Sequence, residues 1–183
     1  MRYLLIRHGQ TAGNLEGRYI GRTDEPLCSQ GVAALRARRY PPVNRVLVSP
    51  MRRCLETAAL ITPGCPVTVV EDFRECDFGV FEGKNYAELN GRADYQDWID
   101  SGGTLPFPGG ESRDGFSRRC VAAFERAAAE LDDGCCAVIV HGGTVMAVME
   151  AFARPHRPYF DWQVGCGEGF VLNDDGAWER LFP

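Results

Sequence analysis

The chain of 183 residues carries 20 Lys and Arg against 25 Asp and Glu, a formal net charge of −5, and is 45% hydrophobic and 25% charged. This size and balance fit one globular domain with its own buried core. They exclude broad binding to nucleic acid or to an acidic membrane surface, because no extended positive field exists to drive it.

The four apolar residues between Arg2 and Arg7 are too few for the apolar stretch of a secretory leader, and no apolar run approaches the ~20 residues of a membrane span. The eight cysteines (Cys28, Cys54, Cys65, Cys76, Cys120, Cys135, Cys136 and Cys166) are scattered, with no C-x-x-C pair. Neither a zinc site nor a thioredoxin-type motif is indicated. Reduced thiols packing as small hydrophobes in a cytoplasmic protein are expected.

Along the chain, Tyr3–Ile6 is a compact apolar run suited to a buried strand. Ser29 is placed to cap a helix over Gln30–Arg39, which Pro41-Pro42 stops. Arg36, Arg38 and Arg39 then read as an exposed helix face. Arg45–Val48 is a second buried strand. Met51–Ile61 reads as a helix turning Leu55, Ala58 and Ala59 inward, and Val67–Val70 is a third strand. Phe73–Gly110 is irregular and rich in Gly, Asp and aromatics, with short helices near Ala87 and Trp98.

Phe116, Cys120, Ala123, Phe124, Ala127 and Leu131 form a helical stripe. Ala137–Val140 is a fourth strand and Val145–Phe152 a buried helix. Trp162–Leu181 holds two short β runs around the turn Asn173–Gly176. Alternating strands and helices indicate an α/β three-layer sandwich with a mainly parallel central sheet and helices on both faces. The whole of 1–183 is expected to be a single domain with a cap-like excursion at about 84–111.

In such sheets ligands bind beyond the carboxyl ends of the strands. The residues just past those ends are Arg7-His8-Gly9-Gln10-Thr11, Ser49-Pro50-Met51-Arg52-Arg53, Phe73-Arg74-Glu75 and His141-Gly142-Gly143-Thr144. Arg7 and Arg53 offer planar forks for phosphate oxygens. Gln10 and Thr11 stand beside them as further candidate contacts. Gly142 and Gly143 precede a helix, so the amide at Gly142 joins an anion-binding helix N-terminus.

His8 is a competent nucleophile if neutral, and neighbouring Arg residues disfavour the imidazolium. Glu75 suits a general acid that protonates the departing alkoxide and later activates water. Burial against Phe73, Phe78 or Phe81 raises its pKa and the arginines lower it; sequence does not decide between them. Asp77 and Glu82 are competing carboxylates nearby.

These segments resemble the histidine phosphatase superfamily, the phosphoglycerate mutase-like enzymes, over nearly the whole chain. Leu5-Ile6-Arg7-His8-Gly9-Gln10-Thr11 with Asn14 is similar to the R-H-G signature. Tyr19–Leu27, containing Gly21, Arg22, Asp24 and Pro26, is similar to the G-x-x-D-x-P-L loop. Ser49–Arg53 with Thr57-Ala58 resembles S-P-L-x-R-A-x-x-T-A, with Met51 and Cys54 substituted. Arg74-Glu75 through Gly83, Pro108–Ser112 and His141-Gly142-Gly143 follow in order, with Phe81 where Trp is common.

The resemblance implies His8 as nucleophile, His141 as the second pocket histidine and Glu75 as proton donor. It implies Arg7 and Arg53 as phosphate clamps and Asn14 as a further phosphate contact. Gly21 and Arg22 fall in the substrate loop, where Arg22 reads either as a substrate contact or as a solvent-facing charge. No metal and no cofactor is expected, and the partner is a small phosphorylated metabolite. Monomer and homodimer are left open.

The resemblance further implies hydrolysis of a phosphomonoester through phosphohistidine. The Tyr19–Leu27 loop resembles that of α-ribazole phosphatases of cobalamin biosynthesis. The alternatives are a cofactor-dependent phosphoglycerate mutase and a catalytically silent phospholigand-binding protein. The short Gly83–Pro108 stretch favours a phosphatase.

Overall fold

The computed structural model describes residues 1–182. One six-stranded sheet runs β3-β2-β4-β1-β5-β6. Its strands are β1 (Arg2–Arg7), β2 (Arg45–Val48), β3 (Val67–Val69), β4 (Cys135–Val140), β5 (Gly169–Asn173) and β6 (Trp178–Arg180). β1 with β4, β4 with β2 and β2 with β3 pair in parallel, while the β5–β6 hairpin joins β1 antiparallel. The continuous apolar runs lie at the centre: Leu4–Ile6 and Cys136–Val140 are fully enclosed. β3 is at the edge, with Val67 and Val69 exposed. The turn expected at Asn173–Gly176 closes the hairpin, where the Asn173 amide donates to Ala177 O at 2.9 Å.

Alternate side chains of each central strand feed a separate core. Leu5, Val138 and Val140 pack against Phe124 of α6 (Arg113–Ala129), Val148 and Met149 of α7 (Gly142–Phe152), and Trp162. Leu4, Ile6, Val48, Ala137 and Ile139 pack on the opposite face against Cys54 and Ala58 of α3 (Arg52–Ile61). Each such aliphatic side chain, fully buried, contributes about 1.5–3 kcal/mol. No helix among the described residues is long and apolar enough to cross a membrane.

Three local expectations are corrected. α3 turns Arg53, Cys54, Thr57 and Ala58 inward, leaving Leu55 39% exposed and Ala59 outside. Its inner face meets the polar strand ends, so polarity there does not report exposure. The helix α2 (Ser29–Ala37) is capped by the Cys28 sulfur accepting from Gly31 N, one residue before the expected Ser29. Arg38 lies beyond that helix and binds Cys166 O and Glu168.

The excursion contains two short helices, α4 (Tyr86–Leu89) and α5 (Ala93–Asp100), besides α1 (Ala12–Leu15) near the N-terminus. Phe81, Leu89, Phe107 and Phe116 form a third core beneath it. Gly79 ties this region to Pro108–Gly110. Its φ is +52°, and a Cβ there would lie 2.1 Å from Pro108 O. Gly64 also has a positive φ, +79°, but open space around its Cβ position. Gly79→Ala is therefore expected to lower stability by roughly 2–4 kcal/mol, against about 1–2 for Gly64→Ala. Urea unfolding of both variants checks this; equal losses would show that backbone strain alone, without the close approach, sets the cost.

Candidate active site

Parallel pairing brings the carboxyl ends of β1, β2 and β4 to one edge, which carries His8, Ser49 and His141. The rings of His8 and His141 meet edge to face at 5.3 Å between centroids. His8 Nδ1 lies 2.7 Å from Gly9 O. A carbonyl only accepts, so Nδ1 bears the proton and Nε2 is left with a bare lone pair. The Gly9 amide is itself fixed by Thr57 Oγ1 at 2.9 Å. Burial, then Arg53 and Arg7, lower the His8 pKa to about 3, with the Gly9 carbonyl opposing, so the ring is neutral at physiological pH.

His141 caps α7. Its Nε2 is 2.8 Å from Ser49 Oγ, which accepts from Met51 N and has its own proton to give. Its Nδ1 faces Glu75 Oε2 at 3.9 Å. Burial and Arg53 hold His141 well below the usual histidine range.

Arg7 donates Nη1 to Val164 O at 2.9 Å, and its Nε is buried without a partner. Its side-on fork, Nε with Nη2, makes no hydrogen bond among the described residues. A methyl on Gly142 would sit 3.5 Å from that Nε, so the fork adjoins the N-terminus of α7. Arg53, 1% exposed, donates its η nitrogens to Thr23 O, Ile20 O and Gly21 O, leaving Nε orphaned. Neither guanidinium forms an ion pair among the described residues. The site thus concentrates buried positive charge and unsatisfied donors around a neutral imidazole. An anion with several acceptor oxygens completes it.

Glu75 follows the turn Glu71–Phe73 and is held by the Cys76 amide at 2.9 Å. Burial raises its pKa, outweighing the Cys76 hydrogen bond and the pull of Arg53, Arg7 and Arg119. Its two rivals are engaged elsewhere. Glu82 accepts from Gly21 N and from Thr23 N and Oγ1, ordering the loop that holds Arg53. Asp77 pairs with Arg22 and accepts from Gly79 N.

The remaining candidates divide. Thr11 and Asn14 form a capping box on α1, with Asn14 Oδ1 accepting from Thr11 N and Thr11 Oγ1 from Asn14 N. Asn14 Nδ2 has no hydrogen bond among the described residues and is the group left for a ligand. Gln10 contributes a carbonyl to Cys28 N. Gly21 must be glycine, since a Cβ would lie 2.1 Å from Cys76 O. Arg22 is largely exposed at the mouth of a cleft of about 560 Å³ that also reaches Glu75. His156 is exposed, away from this edge.

Sequence reasoning left Ser49, Thr57, Asp24 and the Val164 carbonyl without roles. Ser49 holds the His141 ring through Nε2. Asp24 accepts from Arg52 N at the start of α3. Ser49 directly follows a strand, which was a usable signal; the Val164 carbonyl had none. No cluster of His, Cys, Asp or Glu able to hold a metal ion occurs among the described residues.

A sequence profile of the histidine phosphatase superfamily (branch 1) matches residues 3–168. The chain belongs to this superfamily. It is 27% identical to the adenosylcobalamin/alpha-ribazole phosphatase of Salmonella typhimurium, over 97% of this chain and 98% of that protein. It is 32% identical to a 2,3-bisphosphoglycerate-dependent phosphoglycerate mutase of Gloeobacter violaceus, over 80% of this chain and 73% of that one. The fold is that of the alpha-ribazole phosphatase structure from Shigella flexneri, with a TM-score of 0.83 at 23% identity, covering 98% of this chain and 94% of that one.

The two titrating groups act oppositely on stability. His8 has a depressed folded pKa, so below the unfolded value of 6.5 the unfolded chain binds more protons and stability falls toward pH 3. Glu75 has a raised folded pKa, so the folded state loses stability as pH rises through it. Glu75→Gln removes that penalty. Its Tm gain over wild type is expected to be larger at about pH 8 than at about pH 4, with kcat reduced by roughly 10²-fold or more. A pH-independent change in Tm would contradict the raised pKa.

Proposed function

We propose that the protein is a phosphatase that hydrolyses a small phosphomonoester through a phosphohistidine on His8. The carrying observation is the neutral His8 ring, its Nδ1 held by Gly9 O and its Nε2 bare, beside the free fork of Arg7. Nε2 attacks phosphorus, and the ester P–O bond breaks with its electron pair on the leaving oxygen. The protonated Glu75 gives that oxygen its proton. Water then attacks the phosphohistidine, Glu75 takes the water's proton, and the P–N pair returns to Nε2. Arg7, Arg53 and the α7 N-terminus stabilise the charge on the transferring group throughout, the main requirement of phosphoryl transfer. No metal enters this scheme. The eight unpaired thiols support a cytoplasmic location.

α-Ribazole phosphate is the leading substrate, supported by the near full-length match to the Salmonella enzyme. A phosphoglycerate mutase shares the first half of the chemistry but must also bind a carboxylate and a second phosphate. The wider cleft suits them poorly. Its arginines are already paired, Arg22 with Asp77, Arg74 with Glu71 and Arg119 with Glu111. Asp72 adds a further carboxylate to the same wall.

The test is phosphate release across a panel of α-ribazole phosphate, phosphoglycerates, sugar phosphates, nucleotides and a generic aryl phosphate. His8→Ala is expected to lower turnover more than about 10³-fold with its circular dichroism unchanged, and EDTA to have no effect. Near wild-type activity in His8→Ala would refute the mechanism. Bisphosphoglycerate-dependent isomerisation without net phosphate release would favour the mutase.

A further inference from the structure

Glu75 must touch the departing oxygen, so the rest of the leaving alcohol occupies space that adjoins Glu75. Two cavities do. One is the charged cleft with its paired arginines. The other, about 220 Å³, is walled by Trp98 and Phe107 of the excursion, Phe116 of α6, Met146 of α7, and Tyr159 and Phe160. Glu75 and Gly143 line this second cavity, and a methyl on Gly143 would lie 3.1 Å from Glu75 Oε1. Its volume lies below the ~300–1,000 Å³ of pockets that enclose whole drug-sized ligands. It therefore suits a ring rather than an entire nucleotide.

We propose that this aromatic cavity is the specificity pocket of the enzyme, and that it selects phosphomonoesters whose alcohol carries a flat aromatic ring. The assignment rests on the phosphatase reading above and adds the part of the substrate that the phosphate site does not see. Ring faces and edges on several sides offer stacked and edge-on contacts to a planar guest. Trp98 and Phe107 already stack on each other at 4.9 Å, which holds both rings in place in this wall. Tyr159 is anchored by its hydroxyl to Gly143 O at 3.3 Å. Phe160 is 49% exposed at the rim. Arg113 also lines the cavity and lies over both the Tyr159 and Phe160 rings, 5.8 and 5.9 Å from their centroids, which steadies this side.

The experiment compares 3-phenylpropyl phosphate with propyl phosphate. Both release a primary alcohol of similar acidity, so the ring alone separates them. Wild type is expected to favour the phenyl ester in kcat/KM by about tenfold or more, with the difference in KM. Phe160→Ala should reduce that ratio several-fold by raising KM for the phenyl ester, and Phe160→Trp should restore it. Ratios near one in wild type, or equal losses for both esters in Phe160→Ala, would overturn the pocket while leaving the phosphatase reading intact. Failure to release phosphate from either ester or from an aryl phosphate would overturn both.

Discussion

Arg53 is a buried cation that forms no ion pair among the described residues, and much of the structure exists to make that tolerable. Removing such a charge from water costs several kcal/mol unless hydrogen bonds replace the lost hydration. Three carbonyls of the 20–23 loop supply them. That loop is in turn held by Glu82, by the close approach of Gly21 to Cys76, and by Asp24 on the first turn of α3. Together with burial, the charge holds both histidines neutral, and it leaves a deficit suited to an anion. A carboxylate partner would have stabilised the empty fold and spoiled the anion site.

The same environment sorts the groups by charge type. Desolvation penalises any ion, so burial lowers the two histidines and raises Glu75. The arginines reinforce the first effect and oppose the second. The result is a neutral imidazole beside a carboxyl that holds its proton more tightly than a free one, the kind of pairing that phosphoryl transfer from an ester to a ring nitrogen uses. Because Glu75 borders both a charged cleft and an aromatic cavity, the acid also sits where the leaving group divides between polar and apolar surroundings.

The buried strands were legible because apolar runs enclosed on both faces leave a dense local signal, as Leu4–Ile6 and Cys136–Val140 do. The long helix α6 was legible from its stripe. α3 misled because its inward face is chosen by Arg53 and Thr57, polar residues buried for the site, while Leu55 faces out. Cys28 was read as a small hydrophobe and serves as a helix cap. Arg38 was read as a solvent-facing charge and ties down the 166–168 segment that abuts the end of β1.

By itself the sequence determined which chemistry was present: histidines, arginines and a glutamate, each just past a strand or on the helix after it, in the order and spacing of one superfamily. The alternation of strands and helices brings such positions to one edge, so the candidate set follows from local pattern. Only the tertiary structure decided the states of those groups. Which ring nitrogen of His8 is bare depends on a carbonyl at 2.7 Å, and whether Glu75 is protonated depends on burial against opposing charges. The aromatic cavity joins residues from 98 to 160 that no sequence period relates. Desolvation and cavity shape are sums over many distant neighbours, and such sums exist only once the chain has folded.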